Sequence, residues 1–340
     1  DGPHRDAQMD QVRQQALLAL TSTPPAPFTM EEILAPCATW SASSAPGQDG
    51  ITYQHLKALL ATTAHSQSLL AMLNRALATG RVPPTWLQSV TTLLPKIPKP
   101  LQWAQTRPIT LTNTLGKWLS QILLRRIPPL HPPHAPQFAA KGRTGLQATA
   151  LLRRLLQKVA EWEEPMLLLK VDIRKAFDSS SQPSLGQMVW GKLDTSQPAE
   201  ASLLLDMLQT DGLVVEFLGD SLDIPQTNGV RQGSPESPVI FAAAIAHCTP
   251  TPPLHSPLPE AGLEFMDDAY VWAASARALQ QLTDTFLAPL RRLGLTVNPE
   301  KTLLVASTPT LTGASITIDG HTVRARPPTA PIEILGTLQG

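Results

Sequence analysis

Hydrophobic positions recur at three- and four-residue spacing over residues 9–20, 53–60, 67–78, 115–127, 145–162 and 276–293. That period gathers apolar side chains on one face of an α-helix. The stops agree with it: Gly80 follows the third stretch, Pro128 and Pro129 the fourth, and Gly294 is placed to cap the last. Shorter helices are expected at 30–34, 202–208 and 238–247. Strands are expected at 90–96 and 109–111, flanking a Pro- and Lys-rich turn, and at 167–173 after Glu164-Pro165. Three hairpins follow: 214–218 with 222–224, turning at Gly219-Asp220; one centred on Asp267-Asp268; and 315–318 with 321–324 around Asp319-Gly320. Strands and helices alternate without a βαβ rhythm or an internal repeat, which predicts an α+β fold rather than a doubly wound sheet.

Two of these strands carry carboxylates among apolar neighbours. Asp267 and Asp268 sit within Glu264-Phe265-Met266-Asp267-Asp268-Ala269-Tyr270-Val271-Trp272, and Asp172 ends Leu167-Leu168-Leu169-Lys170-Val171-Asp172. An unpaired buried charge costs several kcal/mol, so strands keep carboxylates off buried faces unless something cationic meets them. Divalent metal is one candidate, because hard carboxylate oxygens suit Mg²⁺. The alternative is that Asp267 and Asp268 merely form a turn while Asp172 ends a strand.

Composition narrows the picture. The chain has 340 residues, 42% of them hydrophobic, enough for two domains or one elaborate one. Its 34 prolines are about twice the usual share, and they cluster at 128–136, 250–259 and 327–331, read as surface connections. Two cysteines, Cys37 and Cys248, give neither a zinc site nor a disulfide framework. No apolar run reaches the ~18 residues of a membrane span and no signal peptide opens the chain, so an intracellular, soluble protein without a membrane partner is expected. Net charge is zero, but residues 81–160 hold twelve Lys or Arg and no Asp or Glu. The other fifteen basic residues face all twenty-seven acidic ones. Such asymmetry points to a polyanion contact; a solvated basic helical face is the plainer alternative.

Three segments then stand in one order: Asp172-Ile173-Arg174-Lys175-Ala176-Phe177-Asp178-Ser179, Asn228-Gly229-Val230-Arg231-Gln232-Gly233-Ser234-Pro235-Glu236-Ser237-Pro238, and Phe265-Met266-Asp267-Asp268. They closely resemble motifs A, B and C of the reverse transcriptases of non-LTR (LINE-type) retrotransposons and their group II intron relatives. Arg107-Pro108-Ile109-Thr110 with Leu115-Gly116-Lys117 resembles the fingers motif, and Gln137-Phe138 through Lys141-Gly142-Arg143 the next one. The stretch Gly294 to Thr302 resembles motif D, and Ile334-Leu335-Gly336 the primer-grip motif E. Pro46 to Ile51 is similar to the segment that opens these domains. The resemblance covers about residues 40–340.

The resemblance implies a right-hand polymerase fold: fingers at about 41–165 and 202–232, and a palm with an antiparallel sheet at about 166–201 and 233–340. It also implies an N-terminal extension at 1–40 and a thumb absent or truncated. By the same likeness, Asp172, Asp267 and Asp268 with the Ile173 carbonyl hold two Mg²⁺ ions, for which Mn²⁺ can substitute, as in-line phosphoryl transfer between two metals requires. Phe177 stands where the family gates against the ribose 2′-hydroxyl, with core packing as its plainer role. Gln232 and Gly233 lie along the incoming nucleotide, Arg107 reaches the triphosphate, and Lys301 is the motif D lysine or a surface lysine. Lys96, Lys99, Lys141, Arg143, Arg153, Arg154 and Lys158 are assigned to nucleic acid, and Leu335 and Gly336 to the primer grip.

The expected partners are an RNA template, a DNA primer or target and dNTP, with endonuclease and thumb domains flanking this segment in a polyprotein. The expected location is a nuclear or cytoplasmic ribonucleoprotein. Departures exist: Glu236 stands where the family has an apolar residue, the helix after motif B is cut short by 249–259, and aromatic content is 5%. A catalytically silent, RNA-binding remnant is therefore the alternative to an RNA-directed DNA polymerase. A domesticated cellular polymerase ranks third.

Overall fold

The computed structural model describes residues 2–102, 105–132, 136–209, 213–217, 220–224, 226, 228–249, 261–335 and 337–339. It divides into two units, one of residues 1–130 and 182–240, the other of 131–181 and 241–340.

The first unit holds α1 (Gly2–Ser22), α2 (Met30–Leu34), α3 (Tyr53–Leu60), α4 (Thr63–Thr79), α5 (Pro84–Leu87), β1 (Ser89–Pro95), β2 (Thr106–Thr112) and α6 (Thr114–Arg126). After the other unit's insertion come α9 (Gln182–Leu193), α10 (Pro198–Leu208), β4 (Leu213–Phe217), β5 (Asp220–Ile224) and the start of α11 (Glu236–Ala246). Every residue of α10 is buried, with α1, α4 and α9 packed around it. The N-terminal helices contribute to this core: Met9, Val12 and Ala16 of α1 are buried, and so is Ile33 of α2. A four-stranded sheet runs β2-β1-β4-β5, with β1 and β4 parallel.

The second unit holds α7 (Gly145–Glu161), β3 (Leu167–Asp172), α8 (Ala176–Ser179), β6 (Ala261–Phe265), β7 (Asp268–Ala273), α12 (Ala276–Arg292), β8 (Leu303–Ala306), β9 (Ser315–Ile318) and β10 (His321–Arg326), and ends with the pair β11 (Ile332–Ile334) and β12 (Thr337–Gln339). Its six-stranded sheet has the order β6-β7-β3-β8-β10-β9, antiparallel throughout except where β10 joins β8. β3 is central and buried on both faces, which is why Leu167, Leu168 and Leu169 are consecutively apolar instead of alternating. On one face Leu168, Leu263, Tyr270, Trp272 and Val305 pack with Ala148, Leu152 and Val159 of α7. α12 lies against β7 and β9.

The fold is thus α+β, as expected, and most predicted elements lie within a few residues of their places. Several were not anticipated. α9 contains Pro183, Gly186 and Gly191, poor helix formers, yet Leu185, Val189 and Leu193 recur every four residues and are buried. α10 begins at Pro198, four residues early, with proline in the first turn where its missing N–H costs nothing. β8, β11 and β12 went unread, and Gly219 lies outside the described residues. Among the described residues no helix is long and apolar enough to cross a membrane.

Candidate active site

The antiparallel register of β3 and β7 sets Asp172 directly opposite Asp268. Facing residues in such a pair project to one side of the sheet, so the two carboxylates share a face with the next pair along, Lys170 and Tyr270. Lys170 Nζ stands 3.8 Å from Asp268 and donates to the Glu333 carbonyl at 2.9 Å. Burial raises the Asp268 carboxyl above its ordinary value; Lys170 opposes the shift, and the charges of Asp267, Asp172 and Glu333 add to it. The carboxylates therefore feel one another, with Lys170 as a cation beside Asp268.

The strand end is held from behind. Asn298 N–H donates to the Asp172 carbonyl at 2.8 Å, Asp172 N–H donates to Thr302 Oγ1 at 3.3 Å, and Thr302 Oγ1 donates to the Asn298 carbonyl at 2.9 Å. Ile173, buried, bridges Val297, and Arg174 N–H reaches the Thr296 carbonyl. The motif-D-like segment is thereby tied to Asp172, and exposed Lys301 sits in its turn.

Phe265 pairs with Asp268, leaving Met266 and Asp267 as a two-residue hairpin loop. Met266 has φ +57, and Asp267 is not among the residues with positive φ. That is the pattern of a type II′ turn, whose first position normally takes glycine. Residues 136–138 run along the open edge of β6: Glu264 N–H donates to the Pro136 carbonyl and Phe138 N–H to the Glu264 carbonyl. Between them Gln137, fully buried, accepts from Met266 N–H at 3.1 Å and Ala139 N–H at 3.0 Å through Oε1, and donates to Glu264 Oε2 at 3.3 Å. Glu264 is buried, its Oε1 has no hydrogen-bond partner among the described residues, and burial pushes its carboxyl up to about 8. Burial and the nearby Glu264 push the Cys248 thiol up to about 12.

Among the described residues no three His, Cys, Asp or Glu side chains are gathered into a cage for a metal ion. The strands do supply the facing pair Asp172 and Asp268 with exposed Asp267 at the adjoining turn. Mg²⁺ is bound in polymerase-type sites by one or two carboxylates, with substrate phosphates and water completing the shell. The donor chemistry fits a divalent cation on those terms.

Other predicted residues of this unit have mixed surroundings. Phe177 is half-buried and stacks on buried Phe241 with centroids 4.7 Å apart, so one face of its ring is committed to packing. Arg143 donates to the Gln137 carbonyl at 3.1 Å and lies over the Phe138 ring. Lys158 lies 4.3 Å over the exposed Trp162 ring, while Lys141, Arg153 and Arg154 are exposed. Leu335 N–H donates to Tyr270 Oη at 3.3 Å, and Gly336 lies outside the described residues.

In the first unit Arg107 is exposed on β2, and Lys96 and Lys99 are exposed beyond β1. The Gln232 carbonyl accepts from Thr110 N–H at 2.6 Å. Gly233 has φ +125, and a Cβ there would come within 2.3 Å of the Thr110 carbonyl oxygen, so only glycine fits. Arg231 is buried, donates to the Leu87 and Met207 carbonyls, and lies 3.8 Å from Glu236, which also accepts from Ser120. The unexpected Glu236 is thus the counter-ion of a buried arginine. Several residues of the basic segment are engaged internally: besides Arg143, Lys117 donates to the Ala45 carbonyl, Arg126 pairs with Glu200 and Arg81 with Asp206. Sequence reasoning assigned no role to Gln137, Glu264 or Lys170; the signals were a glutamate in an apolar strand and a lysine two residues before Asp172.

Residues 97–337 match the family model described as reverse transcriptase (RNA-dependent DNA polymerase). The chain is 31% identical over 235 residues to the retrovirus-related Pol polyprotein from type-1 retrotransposable element R2 of Popillia japonica, covering 64% of this chain and 30% of that protein. It is 25% identical over 298 residues to the corresponding R2 protein of Nasonia vitripennis, covering 82% and 27%. Against the probable RNA-directed DNA polymerase from transposon BS of Drosophila melanogaster it is 25% identical over 334 residues, covering 93% and 35%. The chain belongs to the reverse transcriptase family, in its non-LTR retrotransposon branch. It spans about a third of the length of these relatives.

Proposed function

We propose that this chain is the RNA-directed DNA polymerase segment of a non-LTR retrotransposon, joining dNTP-derived nucleotides to a primer 3′-hydroxyl on an RNA template. The observation that carries this reading is the Asp172–Asp268 pair on adjacent strands, with Asp267 in the adjoining turn, inside the segment that matches the family. Asp172, Asp267, Asp268 and the Ile173 carbonyl would hold two Mg²⁺ ions, or Mn²⁺ in their place. When bound, such ions activate the primer hydroxyl and neutralise charge on the triphosphate.

The chain's own residues bind and orient. Lys170, between Asp268 and the Glu333 carbonyl, limits carboxylate repulsion before metal arrives. Gly233 lets backbone approach the nucleotide and Gln232 offers an amide to it. Arg107 binds phosphate, Phe177 excludes the ribose 2′-hydroxyl, and Lys301 donates a proton to leaving pyrophosphate. Lys96, Lys99, Lys141, Arg153, Arg154 and Lys158 contact nucleic-acid backbone, and Leu335 with Gly336 holds the primer. On this reading the fingers comprise about 41–165 and 202–232 and the palm about 166–201 and 233–340. Endonuclease and thumb segments belong to the full polyprotein, which works in a nuclear or cytoplasmic ribonucleoprotein.

The silent-remnant reading loses one of its supports, because Glu236 is matched to Arg231 and Ser120 rather than stranded in an apolar site. Primer extension on poly(rA)/oligo(dT) with Mg²⁺ tests the proposal. Extension by the wild type and none by Asp172→Asn is expected; no extension by the folded wild type would leave the remnant.

A further inference from the structure

β6 is the edge strand of its sheet, and its outward N–H groups need partners. Glu264 N–H finds the Pro136 carbonyl. Two residues on, the same edge presents Met266 N–H, at the residue that carries φ +57 with a side chain in place. Backbone in that region persists only where its surroundings over-determine it. No backbone carbonyl of 136–138 serves Met266; the Gln137 side chain does, at 3.1 Å.

The amide orientation is fixed by its partners. Oε1 accepts from two N–H groups, Met266 and Ala139, so Nε2 must be the atom facing Glu264 Oε2. Glu264 in turn is anchored by backbone bonds on both sides of 137. Both side chains are buried, at 0% and 1% exposure, so water does not substitute for either. The three residues form a closed brace from strand to side chain to turn, ending one residue before Asp267.

We propose that Gln137 is the positioning residue of the Met266–Asp267 turn, held in that task by Glu264, and that it sets where the Asp267 carboxylate stands before a divalent cation binds. The inference rests on the polymerase reading for its chemistry, but its geometric core is independent of catalysis. Gln137 touches neither substrate nor metal. It acts through the Met266 amide.

The test uses the chain with Gln137→Met, which keeps length but removes all three bonds, and Gln137→Glu, which keeps acceptor oxygens toward Met266 and Ala139. Hydrogen exchange at the Met266 amide is read in metal-free protein, Mn²⁺ half-saturation by electron paramagnetic resonance, and kcat and dNTP KM by primer extension. Expected for Gln137→Met are Met266 exchange at least about tenfold faster and Mn²⁺ half-saturation raised about tenfold. A lowered kcat should accompany them with dNTP KM within about twofold. Gln137→Glu, which keeps the acceptors but loses the donation to Glu264, should restore Met266 protection and Mn²⁺ affinity in part, to values between Gln137→Met and wild type. Should Gln137→Met fail to fold, Glu264→Leu releases the amide while leaving Gln137 present, and faster Met266 exchange is again expected. A folded Gln137→Met, or Glu264→Leu in its place, with wild-type Met266 exchange and Mn²⁺ half-saturation overturns the brace. A wild type that protects Met266 yet binds no Mn²⁺ instead overturns the polymerase reading and leaves the brace standing.

Discussion

Two hairpins of the same unit close with two-residue loops, and they are made in opposite ways. Between β9 and β10 the loop is Asp319-Gly320, with φ +50 and +80. Positive φ at both positions is a type I′ turn, which Asp and Gly adopt with little strain. Between β6 and β7 the loop is Met266-Asp267, with methionine in a glycine's conformation and an aspartate at the apex. The first turn is specified by its own residues. The second is imposed from a distance by Gln137, 129 residues earlier in sequence, which is itself held by Glu264 of the entering strand. A turn that local sequence disfavours, braced from elsewhere and bearing a carboxylate, is what a functional constraint looks like.

The largest expected effect breaks the chemistry at one hairpin only. Asp172→Asn or Asp267→Asn should lower primer extension by on the order of a thousandfold, measured at saturating Mg²⁺, whereas Asp319→Asn should leave it unchanged.

A second contrast is in pH. The Glu264 carboxyl, raised from 4.5 to about 8 in the folded chain, contributes stability that is fully present below its unfolded value. That contribution drains away as pH rises through about 8, because the unfolded chain ionises first. The loss is bounded by about 1.4 kcal/mol per pH unit. Denaturant melts at several pH values should therefore show wild type weakening from acid to alkaline pH, and Glu264→Gln should flatten that slope.

Smaller effects sharpen the comparison. Gly320→Ala should cost about 1–2 kcal/mol, since alanine pays for left-handed backbone, and should not alter activity. Met266→Gly should leave stability within about 1 kcal/mol of wild type, relief of strain offsetting the freer unfolded chain. Thermal melts of the two variants side by side check both.

The β9–β10 hairpin was legible because its paired strands and its turn lie in ten adjacent residues, 315–324. Asp172 and Asp268 were legible as carboxylates in apolar strands, whereas Asp267 lies exposed in the turn, as the plainer reading had it; the motif order pointed to the family. The sequence could not reveal the register that sets Asp172 against Asp268, nor the capture of Asp172's backbone by Asn298 and Thr302, because these join residues about 100 or more apart. Gln137 reads in sequence as one polar residue in a motif; only its burial beside Glu264 gives it work. Glu236 reads as a departure until Arg231, five residues earlier, is found buried against it. Likewise α9 was hidden by its proline and glycines, which burial overrides.

On the proposed reading, the carboxylates beside the strained turn bind a divalent cation. Thermal melting with and without Mg²⁺ plus dNTP, for wild type, Asp172→Asn and Asp267→Asn, tests it most directly. Ligands that bind only the folded state raise its melting temperature. A Mg²⁺-dependent rise is expected in wild type, with its loss in both variants and metal-free stability in the variants equal to or above wild type, because each removes like-charge repulsion. A wild type indifferent to Mg²⁺, with variants that melt lower in its absence, would mean that the aspartates are structural and hold no catalytic cation.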